Sequence, residues 1–266
     1  MSQADKVNKI LVVEDELLIA EDISYRLKSL GYIVTDTVIS GMDALKSIET
    51  NSPDLILMDI ILSGNLDGIQ THELIKQKHN IPLVYLTSFS DEKTFSRAKL
   101  TQPFGYIIKP FEERELHTVI EMALYKHQMD VRLERQLKSE ELISKISTML
   151  LSTKTENLGE AIIESLKIFS EYAGVDKSFI LLIDEAAGTY DSKYEWCFNK
   201  KYSVTEKMKN IPVKDIKWSL EKLKKDKIIV IKDVSDFPES ALNEKQLVES
   251  FHVKSYVAVG LSYNNR

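Results

Sequence analysis

Between residues 9 and 126 the chain repeats one alternation five times: a short, apolar run followed by a longer amphipathic stretch. The runs are Ile10-Leu11-Val12-Val13, Ile33-Val34-Thr35, Leu55-Ile56-Leu57-Met58, Leu83-Val84-Tyr85-Leu86 and Tyr106-Ile107-Ile108. A strand that faces water on one side alternates apolar and polar side chains. The central runs are apolar throughout, which predicts strands buried on both faces of a parallel sheet. Helices are expected over residues 17–30, 41–49, 68–78, 92–100 and 112–126. Parallel strands joined through helices cross over right-handedly, so this β-α order predicts a doubly wound α/β sheet of five strands.

In an open sheet of this kind ligands bind beyond the carboxyl ends of the strands, so the residues just after each run carry the chemistry. Glu14 and Asp15 follow the first run, Asp59 the third, Thr87 the fourth, and Lys109 with Pro110 the fifth. In a flavodoxin-like strand order the first, third, fourth and fifth runs are neighbours, and these side chains are expected to converge on one edge. Each has an ordinary explanation when taken alone: an Asp after a strand is commonly a helix N-cap, and Lys-Pro is commonly a turn. Five such placements at one edge point to a site. Three carboxylates held together repel one another unless a cation neutralises them. Oxygen donors without Cys or His favour Mg²⁺, with Mn²⁺ or Ca²⁺ as alternatives. A carboxylate in that setting can act as a nucleophile and carry an acyl-phosphate. Lys109 supplies a point charge for one phosphoryl oxygen and the Thr87 hydroxyl a hydrogen bond for another. Phosphoryl transfer asks for little beyond such positioning and charge compensation.

Composition narrows the setting. Hydrophobic residues make up 43% and charged residues 29% of 266, a balance that suits about two globular domains. The formal net charge of -6 gives no global basic field for nucleic acid or anionic lipid. No run of roughly 18 apolar residues predicts a membrane span, and the polar N-terminus lacks the apolar core of a signal peptide. One cysteine, Cys197, rules out an internal disulfide framework and suits a reducing compartment. The five histidines are scattered, which argues against a Cys/His metal site. The expected location is cytoplasmic, with neither nucleic acid nor membrane as a partner.

The first half resembles the receiver domain of two-component response regulators. Val12-Val13-Glu14-Asp15-Glu16, Leu57-Met58-Asp59, Leu86-Thr87-Ser88 and Gly105-Tyr106-Ile107-Ile108-Lys109-Pro110 carry the resemblance, in order and spacing. It implies that Glu14, Asp15 and Asp59 hold Mg²⁺ together with the main-chain carbonyl of Ile61. It further implies that Asp59 takes a phosphoryl group from the phosphohistidine of a histidine kinase or phosphotransfer protein, and that Lys109 and Thr87 assist. Thr87 and Tyr106 match the family's switch pair, in which the hydroxyl moves toward the phosphate and the aromatic ring turns inward. The Lys109–Pro110 bond is expected to be cis. One departure stands out. The loop Ile60-Ile61-Leu62-Ser63-Gly64-Asn65-Leu66-Asp67-Gly68 lacks the family's common proline and is about one residue longer than its plainest members.

Residues 112–151 contain neither Pro nor Gly and read as nearly continuous helix. Leu116, Ile120 and Ala123 form a seam that breaks near residues 127–130, and Leu133 and Leu137 resume it in another phase. A signalling coiled coil fits, and so does a charged linker helix capping the first domain. The remainder changes texture: a helix-like stretch at residues 158–172, then strand-like runs at 179–183, 190–198, 228–231 and 256–261, with Pro212 and Pro238 in loops. This predicts an α+β domain with a mostly antiparallel sheet. Tyr172-Ala173-Gly174-Val175-Asp176-Lys177-Ser178, Tyr194-Glu195-Trp196 and Val253-Lys254-Ser255-Tyr256-Val257-Ala258-Val259 resemble parts of GAF domains, which are sensor modules. The family's last strands and closing helix are missing after this run, so the GAF-like part is expected to be C-terminally incomplete, with an open sheet edge. Cys197 reads as a packed small hydrophobe rather than an attachment point. The lysines of Lys222-Leu223-Lys224-Lys225-Asp226-Lys227 read as a solvated helix end rather than an anion site.

The domains expected are thus a receiver at 1–127, a helical linker at 128–145 and a GAF-like sensor domain at 146–266, its ligand unknown. The chain is expected to be a phosphoacceptor signalling protein with no enzymatic activity beyond Mg²⁺-dependent self-phosphorylation and self-dephosphorylation at Asp59. A homodimer through the linker helix is compatible with this reading. An alternative is the N-terminal fragment of a hybrid sensory histidine kinase, for which the isolated His117 and His127 are weak evidence. An aspartyl-phosphate phosphatase would place a second acid two residues after the nucleophile. That position here is Ile61.

Overall fold

Each apolar run of the first half forms a strand in the computed structural model, which describes residues 7–88, 92–184 and 186–261. The chain divides into two compact units, Met1–Leu137 and Lys138–Arg266. In the first, β1 (Lys9–Val13), β2 (Ile33–Val38), β3 (Leu55–Asp59), β4 (Leu83–Thr87) and β5 (Gly105–Ile108) alternate with α1 (Leu17–Ser29), α2 (Gly41–Asn51), α3 (Gly68–Lys78), α4 (Glu92–Leu100) and α5 (Glu113–Ser152). The strand order is β2-β1-β3-β4-β5 and every neighbouring pair is parallel. This is the expected flavodoxin-like sheet. β2 extends past the apolar run to Val38 through Asp36 and Thr37. It lies at the sheet edge, where polar side chains reach water, so the apolar pattern stops before the strand does.

Successive side chains of a strand point to opposite faces, and the sheet sorts its apolar residues accordingly. Ile10, Val12, Leu55, Leu57, Val84, Leu86 and Ile107 pack with Ile23 and Leu27 of α1 and Leu116, Ile120 and Ala123 of α5. Leu11, Val13, Ile56, Met58, Leu83 and Tyr85 pack on the other face with Ala44 and Ile48 of α2, Ile69 and Ile75 of α3 and Ala98 of α4. The seam read along α5 is thus part of the core, whereas Leu133 and Leu137 are exposed.

Two local devices hold the α3 side. Asp67 caps α3, accepting from the Gln70 N–H while the Gln70 side chain accepts from the Asp67 N–H, and Arg97 of α4 reaches the same carboxylate at 2.9 Å. Deeper, the buried His72 Nδ1 lies 3.0 Å from the Tyr85 hydroxyl and 2.9 Å from that of Thr101, whose hydroxyl donates to the Ala98 carbonyl. This polar knot joins α3, β4 and the end of α4.

In the second unit α6 (Leu158–Ala173) runs alongside β6 (Lys177–Asp184) and β7 (Thr189–Cys197). β6, β7 and β8 (Ile211–Pro212) form one antiparallel sheet. β9 (Ile228–Ile231) and β10 (Tyr256–Val259) form another. The antiparallel pairing matches the expectation, but it falls into two separate sheets rather than one. Isolated two- and three-stranded sheets need cover, and each has its own small core. Ile229 and Ile231 pack with Trp218 and Leu223 of α7 (Lys217–Asp226), Val248 of α8 (Leu242–Ser250) and Tyr256. Tyr190 packs with Val204, Met208 and Ile211. Pro212, read as loop, pairs with Thr189, and Ile211 pairs with Tyr190. The lysines at residues 222–227 sit at the end of α7, where Lys222 pairs with Asp226 at 3.0 Å. Cys197 is partly buried and its thiol donates to the Asn199 carbonyl at 3.0 Å.

Candidate functional site

Parallel strands in register bring their carboxyl ends to one edge, and there Glu14, Asp15, Asp59 and Lys109 meet, with Thr87 placed at the same edge by register. Asp59 ends β3 and pairs with Leu86, the residue before Thr87 on β4. Thr87 pairs with Ile108 on β5, immediately before Lys109. Glu14 and Asp15 follow β1, the other neighbour of β3. Carboxylate oxygens of Glu14, Asp15 and Asp59 lie within 4.8 Å of one another. Lys109 Nζ donates to Glu14 Oε2 at 2.6 Å and to Asp59 Oδ2 at 2.5 Å. The Lys109 N–H donates to the Thr87 carbonyl at 2.8 Å, and the Lys109–Pro110 peptide is cis, as expected. The Ile61 N–H donates to Asp59 Oδ1 at 2.9 Å, so the loop after β3 folds back over the acidic group.

Burial sets the electrostatics. Glu14 is fully buried, and burial pushes its carboxyl group up. Asp59 adds to that rise, while Lys109 opposes both. Burial pulls the Lys109 ammonium down, but Asp59 and Glu14 outweigh it and hold the group above its ordinary value. Among the described residues, Lys109 pairs with two of the site's three carboxyl groups, Glu14 and Asp59. Glu14 Oε1 is buried with no hydrogen-bond partner among the described residues. A buried orphan oxygen in an excess of carboxylate is costly unless something positive fills the gap. An all-oxygen donor set of this charge suits a hard divalent cation such as Mg²⁺.

Tyr106 lies on β5 with its ring centroid 4.9 Å from Phe95 and 5.9 Å from Tyr85. Its hydroxyl is buried without a partner among the described residues, and burial raises its pKa. His117 and His127 have local contacts instead of a shared site. The Tyr32 hydroxyl lies 2.9 Å from His117 Nδ1, and the Phe104 ring meets His127 edge-on at 5.3 Å.

Three features escaped the reading of strand ends. Ser63 donates to Asp15 Oδ2 through its N–H at 3.0 Å and its hydroxyl at 2.5 Å. Gly68 packs so closely on β3 that a Cβ there would stand 2.0 Å from the Asp59 carbonyl oxygen. The third is the knot of His72 with Tyr85 and Thr101. The Ser63-Gly64 and Asp67-Gly68 pairs were visible as loop residues, but nothing in their spacing showed which carboxylate or carbonyl they approach.

Residues 10–121 match the family described as the response regulator receiver domain. The transcriptional regulatory protein PdtaR of Mycobacterium tuberculosis is 30% identical over 150 residues, covering 56% of this chain and 72% of that protein. The heme response regulator HssR of Staphylococcus epidermidis is 27% identical over 214 residues, covering 80% of this chain and 90% of its own length. Among solved structures, the signal receiver domain of a modulated diguanylate cyclase from Desulfovibrio desulfuricans G20 is 38% identical. It covers 47% of this chain and 99% of that one, with a TM-score of 0.46.

Proposed function

The chain belongs to the response regulator receiver family, and from that premise we propose that Asp59 accepts a phosphoryl group from the phosphohistidine of a histidine kinase or phosphotransfer protein. An Asp59 carboxylate oxygen attacks phosphorus as the P–N bond to the partner's imidazole breaks, and the imidazole leaves with the bonding pair. The single observation that carries the reading is the bridge from Lys109 Nζ to both Asp59 and Glu14 within a trio of acids spanning 4.8 Å. Glu14, Asp15, Asp59 and the Ile61 carbonyl would hold Mg²⁺, which supplies charge compensation between the acids and the incoming phosphoryl oxygens. Lys109 is placed to exchange a carboxylate partner for a phosphoryl oxygen. Thr87, at the end of β4, is the hydroxyl of the switch pair, and the Tyr106 ring, beside Tyr85 and Phe95, is its aromatic member.

The same reading assigns a receiver to residues 1–127, a helical linker to 128–145 and a GAF-like output to 146–266. Phosphorylation shifts a pre-existing equilibrium of the receiver, and α5, continuous from Glu113 to Ser152, carries the change toward the second unit or toward a homodimer through the linker. The antiparallel strands of the second unit support the GAF-like part. A phosphorelay of this kind operates in the cytoplasm. No described helix is long and apolar enough to cross a membrane.

The test is labelling of the full chain by a small phosphodonor with Mg²⁺. Wild type is expected to take up label to about one per chain and Asp59→Asn none. Equal labelling of the two, or continuous release of phosphate at the rate of an ordinary hydrolase, would overturn the assignment.

A further inference from the structure

The loop that departs from the family's pattern is the one that reaches Asp15. Lys109 serves Glu14 and Asp59, and the Ile61 N–H serves the second oxygen of Asp59. Among the described residues, the donors to Asp15 come instead from Ser63, a residue 48 positions away, whose N–H and hydroxyl both fall on Oδ2. Oδ1 receives neither. Gly64 follows with φ +117, a left-handed conformation that glycine adopts without strain, and it turns the chain directly after Ser63. A proline in this stretch would carry no N–H to donate.

We propose that Ser63 is a positioning residue for the divalent cation. Its paired donors hold Asp15 Oδ2 and thereby fix the Asp15 carboxylate beside Glu14 and Asp59, so that this ligand is already in place when the ion arrives. The proposal rests on the phosphoacceptor reading above and goes beyond it, because it gives the longer, proline-free loop a task. Asp15 is the least buried of the three acids, and so it has the most orientational freedom to lose on binding. Groups that orient a metal ligand through hydrogen bonds typically change metal affinity by about 10–100-fold when removed.

Mn²⁺ titration of the full chain, following the paramagnetic signal of the free ion, tests this with wild type, Ser63→Ala and Ser63→Thr. Thermal midpoints are measured in parallel in the presence of a chelator. Ser63→Ala keeps the N–H and loses the hydroxyl, and is expected to bind Mn²⁺ about tenfold more weakly. Ser63→Thr is expected to restore binding, and the metal-free midpoints of all three are expected to agree. Equal or tighter binding by Ser63→Ala, or failure of Ser63→Thr to restore it, overturns the clasp while label on Asp59 keeps the phosphoacceptor reading intact. A wild type that neither binds Mn²⁺ nor takes up label overturns both.

Discussion

Gly68 shows how one missing side chain can hold a site together. Its N–H donates to the Ile60 carbonyl, and its Cα lies against the Asp59 main chain, where a methyl group would meet the carbonyl oxygen at 2.0 Å and the carbonyl carbon at 3.0 Å. Neither atom is the far end of a flexible side chain, so relief must come from movement of the end of β3, which is the phosphoacceptor itself. Gly68→Ala is therefore expected to destabilise the first unit by about 1–3 kcal/mol and to slow labelling of Asp59 as well. Urea unfolding and phosphodonor labelling measure the two effects. Full stability and full labelling in the variant would show that β3 absorbs the methyl group without cost.

At the scale of elements, the His72 knot ties α3, β4 and α4 on one face of the sheet. Burial, with the charge of Lys76, pulls the His72 imidazole down to about 4. Its folded-state pKa then lies below the unfolded value near 6.5. The group contributes its full stability above about pH 6.5. It loses that contribution as pH falls toward about 4, because the unfolded chain takes up the proton first. The loss amounts to about 3 kcal/mol at the acid end. His72→Asn keeps a polar atom near the Nδ1 position and has no proton to gain. Denaturant unfolding between pH 7 and 4 should therefore show the wild type falling more steeply than the variant. Parallel curves for the two proteins would remove His72 from the acid response.

For the whole molecule, each described core belongs to one unit. The two clusters around the parallel sheet are built from residues 10–124, and the two small ones from residues 181–258. Separate cores unfold as separate cooperative units. Calorimetry of the full chain is expected to give two transitions. Mg²⁺ should raise only the one that belongs to Met1–Leu137, by about 2.7 kcal/mol at a hundredfold excess over the dissociation constant. A single transition, or an equal shift of both, would contradict this division.

Much of this protein was legible in residue order. Runs such as Leu55-Ile56-Leu57-Met58, repeated in alternation with helices, are what strands buried on both faces of a parallel sheet require, and a parallel sheet must deliver its strand ends to one edge. That is why Glu14, Asp15, Asp59 and Lys109 could be named before their distances were known, and Thr87 from the strand end it follows. Tertiary structure alone decided the contacts across loops. Whether Ser63 reaches Asp15, whether Gly68 lies on the Asp59 carbonyl, and whether His72 meets Tyr85 and Thr101 depend on how separate elements pack, and no local periodicity encodes that. The same limit applied to the second unit. Its strands were visible as apolar runs, but antiparallel pairing leaves register and partner open, and packing divided them into two sheets.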